Sequence, residues 1–324
     1  MTPRLAVPRT LDPLALAGWD AGARLATLGG ATMGTTWAIR LAAPPGDDLT
    51  DLRREVEALL ARLVAQMSHW EPASLLSRYN RAPADSWTAL PPEFATVMAA
   101  ALDVAARSDG AFDPAIGGLV DLWGYGALPA AGVPDAAAID AARVAGGWRR
   151  LRFDRAARRL YQPGGVRLDL SGIAKGYAVD AVAALLAARG VRHCLVEIGG
   201  EFVGRGMRPD GDPWWVELET PGDVAAPIRV ALHQLAVATS GDYVRGHHTI
   251  DPRTGHPVDH ALVVSVLHAS AMVADAWATA LGVLGGTAMI ERVTGEGLAV
   301  RALLRKGDGV SEWISPALAE MLTD

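Results

Sequence analysis

The sequence predicts a protein of mixed helix and sheet (α+β, mixed α/β), and three observations carry that expectation. Helical periods and strand-like runs are interspersed along the chain and are not segregated into one kind. Apolar residues make up 50% of the 324 positions, enough at this length to bury a sizeable core without disulfides or structural metal. Apolar spacings of three and four, and short apolar runs bounded by turn residues, each recur several times.

Residues 1–30 are rich in Ala, Pro and Gly and read as an irregular arm or linker, leaving 31–324 as one domain. Thr35 to Leu41 reads as a strand. Leu49, Leu52, Val56, Leu59, Leu60, Leu63, Val64 and Met67 then mark one face of a helix, with Asp47 and Asp48 ahead of its first turn. A second helix starts near Pro91 and Pro92 and stops at Ser108-Asp109-Gly110. A hairpin (151–153 with 159–161), a strand at Val166 to Leu170, a helix over 173–189 and a strand at 193–198 follow. Short strands are expected at 202–204, 214–218, 228–232 and 262–267. A helix from Met272 to Leu284, a second helical stretch, a strand near 298–304 and a terminal helix after Ser315 complete the chain.

Composition excludes several function classes. The net charge is −6, so no chain-wide basic footprint for nucleic acid exists. The arginine-rich run from Arg149 to Arg159 reads as a solvated hairpin face. Cys194 is the single cysteine, which removes disulfide frameworks and multi-thiolate metal sites. Its apolar strand context suits a small buried hydrophobe better than a nucleophile. The N-terminus shows no continuous apolar stretch, and His268 and Asp275 interrupt the most apolar region. No signal peptide or membrane span is expected, which predicts a cytoplasmic protein.

Four segments carry chemistry. Asp169 to Asp180 (DLSGIAKGYAVD) runs from a strand end through a small-residue turn into a helix start, where free N–H groups and the dipole favour an anion. Lys175 is one of two lysines among 30 basic residues, a point charge where arginine is the usual choice. The segment is neither a P-loop nor a Rossmann fingerprint. In VADAWATAL, Asp275 and Thr279 are four apart on one face of an otherwise apolar helix. That carboxylate and hydroxyl suit Mg²⁺. An Asp satisfied by an arginine or by another helix's N-terminus fits the same residues. His247 and His248 precede the turn Asp251-Pro252-Arg253-Thr254-Gly255, and alternation lets one of the two face a site. The fourth combines MGTTW at 33–37 with GAFDPAIGGLVDLWGYG at 110–126, turn-rich pieces that are weak separately.

Together with SHW…LLSRYN at 68–80, EIGGE at 197–201, ATSGDY at 238–243 and HTIDPRTGHPV at 248–258, these segments resemble the FAD:protein FMN transferase (ApbE) family, in family order over about residues 31–315. The resemblance implies a single compact unit of two lobes, with mixed sheets and flanking helices. It implies transfer of the FMN half of FAD to a Ser or Thr hydroxyl of a target flavoprotein, with release of AMP. The implied metal ligands are Asp275, Thr279 and the backbone carbonyl of Gly172, holding Mg²⁺. The implied FAD contacts are Met33, Trp70, Ala111, Phe112, Asp113, Asp169, Lys175 and Ile250. His248, at the family's His-x-x-Asp-Pro position, is the expected base. Two alternatives use the same pocket: a Mg²⁺-dependent FAD pyrophosphatase giving FMN and AMP, and a non-catalytic FAD-binding protein.

Overall fold

The computed structural model describes residues 2–127, 132–243, 246 and 248–323. Its centre is an eight-stranded antiparallel sheet. In spatial order the strands are Gly309–Ile314, Ala299–Lys306, Ala261–His268, Leu235–Gly241, Glu201–Arg205, Cys194–Ile198, Thr35–Ala43 and Arg24–Thr32. Helices Ala174–Ala188 and Ala271–Leu284 lie against this sheet, with Thr50–Met67 and Pro92–Arg107 packed around them over the main apolar core. A second apolar cluster joins the sheet to a three-stranded sheet of Arg4–Ala6, Ile228–Leu232 and Trp214–Glu217. A third small sheet pairs Ser86–Ala89 and Arg152–Asp154 with Arg159–Gln162. The mixed class and most of the expected elements are present.

The structure departs from expectation at two places that shape the fold. Within residues 1–30, Arg4–Ala6 pairs with Ile228–Val230, and Arg24 onward pairs in full register with Thr35–Ala43. The irregular reading failed because Ala and Gly weaken the strand pattern while a neighbouring strand still satisfies the backbone. Val166–Leu170 is not a strand. Its backbone is held instead by the Asn80 amide, which donates to the Leu168 carbonyl (2.9 Å) and accepts from the Leu168 N–H (2.7 Å). Arg167 and Asp169 bond to Gly117 and Pro114, so this strap lies beside the Gly110–Gly117 loop. Gly117 is required there, because a Cβ would come 2.8 Å from two carbonyl oxygens of the strap.

Cys194 is buried in its strand, and burial pushes its thiol pKa up to about 12. A thiol so reluctant to ionise is inert, as its context suggested. No helix among the described residues is long and apolar enough to cross a membrane.

The two helices on the sheet approach each other closely at Gly176. A Cβ there would strike the Ala271 carbonyl and lie 2.8 Å from the Asp275 Cβ. Asp180 fixes the same crossing from one side, its carboxylate accepting from Ser270 Oγ (2.6 Å), Ala271 N (2.9 Å) and Met272 N (3.0 Å). Gly176→Ala is therefore expected to destabilise the fold by about 1–3 kcal/mol through overpacking, despite a helix-propensity gain of about 1 kcal/mol. Urea-unfolding midpoints check this, and an unchanged or raised midpoint would show the crossing to be loose.

Candidate active site

The crossing brings together the residues expected to hold a cation. Gly172 sits in the turn before helix Ala174–Ala188, against Thr279; a Cβ on Gly172 would lie 2.7 Å from Thr279 Oγ1. One turn earlier on the apolar helix, the buried Asp275 accepts a hydrogen bond from Gly176 N–H through Oδ2 (3.0 Å). Of the two readings of this aspartate the structure shows the second: one oxygen caps a neighbouring helix N-terminus, beside a hydroxyl and a glycine turn. The expectation of free N–H groups at that N-terminus needs correcting twice: the Ala174 N–H is taken by the Leu170 carbonyl (2.9 Å) and the Gly176 N–H by the Asp275 carboxylate.

Lys175 points across the crossing to Glu201, with Nζ 2.5 Å from Oε1 and 3.5 Å from the Gly199 carbonyl. Glu201 is placed by the Gly199-Gly200 hairpin, whose two positive φ angles (60° and 96°) suit a tight two-residue turn. Gly199 has no room for a side chain, since a Cβ would lie 2.8 Å from Thr35 Cγ2. The carboxylic acids here bind protons more tightly than usual. Burial raises the pKa of Glu201, the Asp275 charge adds to it, and Lys175 opposes. Burial likewise raises Asp275, against Lys175 and the Gly176 hydrogen bond. Glu219 is raised by burial and lowered by Lys175. Sequence reasoning assigned no role to Glu201. Its signal was an acidic residue directly after Gly-Gly at the start of an apolar strand.

Asp169 heads the same turn, its Oδ1 accepting from Ser171 N (2.7 Å). Its Oδ2 lies 3.8 Å from Nδ1 of His69, a second residue that went unassigned. Trp70, 58% exposed, packs its ring against His69 at 5.0 Å, leaving much of the indole open to stack on a ligand. Met33 occupies a left-handed conformation (φ 50°) with Gly34 in the hairpin between the first two long strands. A non-glycine residue there is strained, a feature that concentrates at functional sites.

Other expected contacts are committed elsewhere. Ala111 and Phe112 are buried in the main core. Both Asp113 oxygens brace backbone, Oδ1 accepting from Ala115 N (2.7 Å) and Oδ2 from Trp148 N (3.0 Å). Ile250 packs with Leu119 and Ile139 in a small apolar cluster. His248 forms a separate group with Tyr125, whose ring lies edge-on at 6.3 Å, and its Nδ1 is 2.9 Å from the Gly246 carbonyl. His247 lies outside the described residues.

The family model for the ApbE family matches residues 33–302. The chain belongs to the ApbE family. The FAD:protein FMN transferase of Vibrio cholerae is 35% identical over 324 residues, covering 96% of each chain. That of Salmonella typhimurium is 34% identical over 310 residues, 91% of this chain and 89% of the relative. Among solved structures, the apo flavinyl transferase ApbE of Pseudomonas stutzeri superposes with a TM-score of 0.87 at 35% identity, covering 92% of this chain and 97% of that one. The Vibrio cholerae flavin transferase ApbE gives 0.87 at 34%, with coverage of 93% and 100%. The mixed fold is thus shared by ApbE members across nearly the whole chain.

Asp113 sets a pH prediction for the stability of this ApbE member. Burial raises its pKa to about 6, against the opposing backbone hydrogen bonds. The folded carboxyl holds its proton more tightly than the unfolded one. Its contribution to stability is therefore full below about pH 4 and lost as pH rises through about 6, a span of roughly 2–3 kcal/mol. The unfolding free energy of wild type minus that of Asp113→Asn, from urea titrations, is expected to fall by about 2 kcal/mol between pH 4.5 and 7.5. A pH-independent difference would refute it.

Proposed function

We propose that the chain is an enzyme, a FAD:protein FMN transferase that moves the FMN half of FAD onto a serine or threonine hydroxyl of a target flavoprotein, releasing AMP with Mg²⁺ required. The observation that carries this is the meeting of Gly172, Lys175, Asp275 and Thr279 at one helix crossing, in a member of a flavin-transferase family. The donor set fits a small hard cation: a buried carboxylate, a hydroxyl and a carbonyl-bearing glycine turn, all oxygen. When bound there, Mg²⁺ would neutralise charge on the diphosphate.

The residues divide the remaining work. A bond forms between the acceptor oxygen and the phosphorus of the FMN half, while the bond from that phosphorus to the bridging oxygen breaks and AMP departs. Lys175, held by Glu201, stabilises charge on the diphosphate and on the departing AMP. Asp169 and Trp70 contact FAD from the neighbouring strap and loop. Met33, from its hairpin, does the same. The committed packing of Ala111, Phe112 and Ile250 leaves their backbone for any contact, and Asp113 shapes its loop.

The acceptor's proton goes to His248. A carbonyl oxygen only accepts, so the contact with Gly246 places the ring proton on Nδ1 and leaves the lone pair on Nε2 as the base.

Incubation with FAD, Mg²⁺ and a candidate flavoprotein, followed by mass spectrometry, is expected to find an FMN adduct on a Ser or Thr. AMP release without an adduct would point to a pyrophosphatase, and FAD binding without AMP to a carrier. His248→Ala is expected to cut transfer roughly 10²–10⁴-fold while FAD affinity stays within a few-fold. Transfer near the wild-type rate would remove His248 from the role. Asp275→Ala is expected to abolish metal-dependent turnover, and an unchanged Mg²⁺ titration would remove it from the cation site.

A further inference from the structure

Glu201 is almost wholly buried, yet its Oε2 has no hydrogen-bond partner among the described residues. An ionised oxygen left in that state costs free energy unless a donor arrives. Its other oxygen is already occupied by Lys175 at 2.5 Å. The hairpin register permits little relief, because Glu201 pairs with Ile198 directly across the Gly199-Gly200 turn.

Carboxyl groups crowd around this ammonium. Glu201, Asp275 and Glu219 all feel the single ammonium of Lys175, and Glu201 further feels Asp275. A divalent ion at the Asp275 site would add positive charge beside these carboxyls. Such ions keep several of their waters, each a hydrogen-bond donor. Outer partners that accept from a metal's own ligands commonly orient and strengthen the site.

We infer that Glu201 is a positioning residue of the cation site: Oε1 clamps Lys175, and Oε2 accepts from water in the hydration shell of the divalent ion held by Asp275, Thr279 and Gly172. This rests on the reading of those three residues as the cation ligands. The two carboxylates then divide the work, Asp275 holding the ion directly and Glu201 fixing both its hydration and the neighbouring ammonium. Lys175 and the cation would otherwise repel each other; a carboxylate bonded to one and facing the other's water keeps both in place.

The test is direct Mn²⁺ binding to the full chain, followed by electron paramagnetic resonance without acceptor protein, so that turnover plays no part. Asp275→Asn is expected to lose the Mn²⁺ site. Glu201→Gln is expected to weaken Mn²⁺ by about 10–100-fold, with an unfolding midpoint near wild type. Glu201→Asp keeps the charge but withdraws the oxygens by one methylene, and is expected to weaken Mn²⁺ at least about 10-fold. Wild-type affinity in Glu201→Asp would reduce the residue to a distant charge and overturn the inference. So would Glu201→Gln within twofold of wild type while Asp275→Asn loses binding, and the cation ligands would then stand without Glu201. Unchanged Mn²⁺ binding in Asp275→Asn would instead overturn the cation site itself. If Glu201→Gln does not fold, Glu201→Asp decides alone.

Discussion

The close crossing at Gly176 is the constraint on which the rest of the molecule depends. Two helices can bring a buried carboxylate to the first turn of a neighbour only if no side chain intervenes. The missing Cβ at Gly176 permits that approach, and the Asp275 carboxylate then satisfies one of the N–H groups that a helix start leaves open. The same approach seats Thr279 against Gly172 and sends Lys175 across to Glu201. Asp180, capping the second helix from the first, locks the crossing on its other side. The fold and the proposed cation site therefore share one contact, and a change that loosens the helices also separates these residues.

Several loops are braced by side chains that hydrogen-bond to backbone. The Asn80 amide holds the 166–170 strap as a neighbouring strand would. Asp113 organises the adjacent loop with both its oxygens, and Asp251 braces its turn through a two-point pair with Arg253 at 2.8 Å. Loops held this way present residues to a ligand while their own polar groups remain satisfied. The strained Met33 turn and the Gly199-Gly200 hairpin set their conformations by positive φ angles, and the second brings the Gly199 carbonyl to Lys175.

Much of the architecture was legible beforehand because amphipathic spacing reports burial directly. The helices at 50–67 and 92–107 and the strand at 228–232 are cases where local pattern and tertiary environment agree. The pattern misled where partners override propensity. The 24–32 strand is glycine- and alanine-rich but fully paired, and 166–170 is apolar but tied by a side chain. At the site, Lys175, Asp275 and Thr279 stood out because a polar residue in apolar company needs a reason. Glu201 and His69 did not, since an acid after a glycine pair and a histidine before a tryptophan have many ordinary explanations.

The amino-acid order alone determined the mixed class, the helical face shared by Asp275 and Thr279, the inert setting of Cys194 and the family resemblance, because all of these are properties of local spacing and residue type. Only the folded chain decided that Asp275 would cap the other helix, that Glu201 would take Lys175, and that Asp113 and Ile250 would turn inward. Those outcomes depend on which distant segments meet, and the energy of a buried charge is set by neighbours as far as about a hundred residues away in the chain.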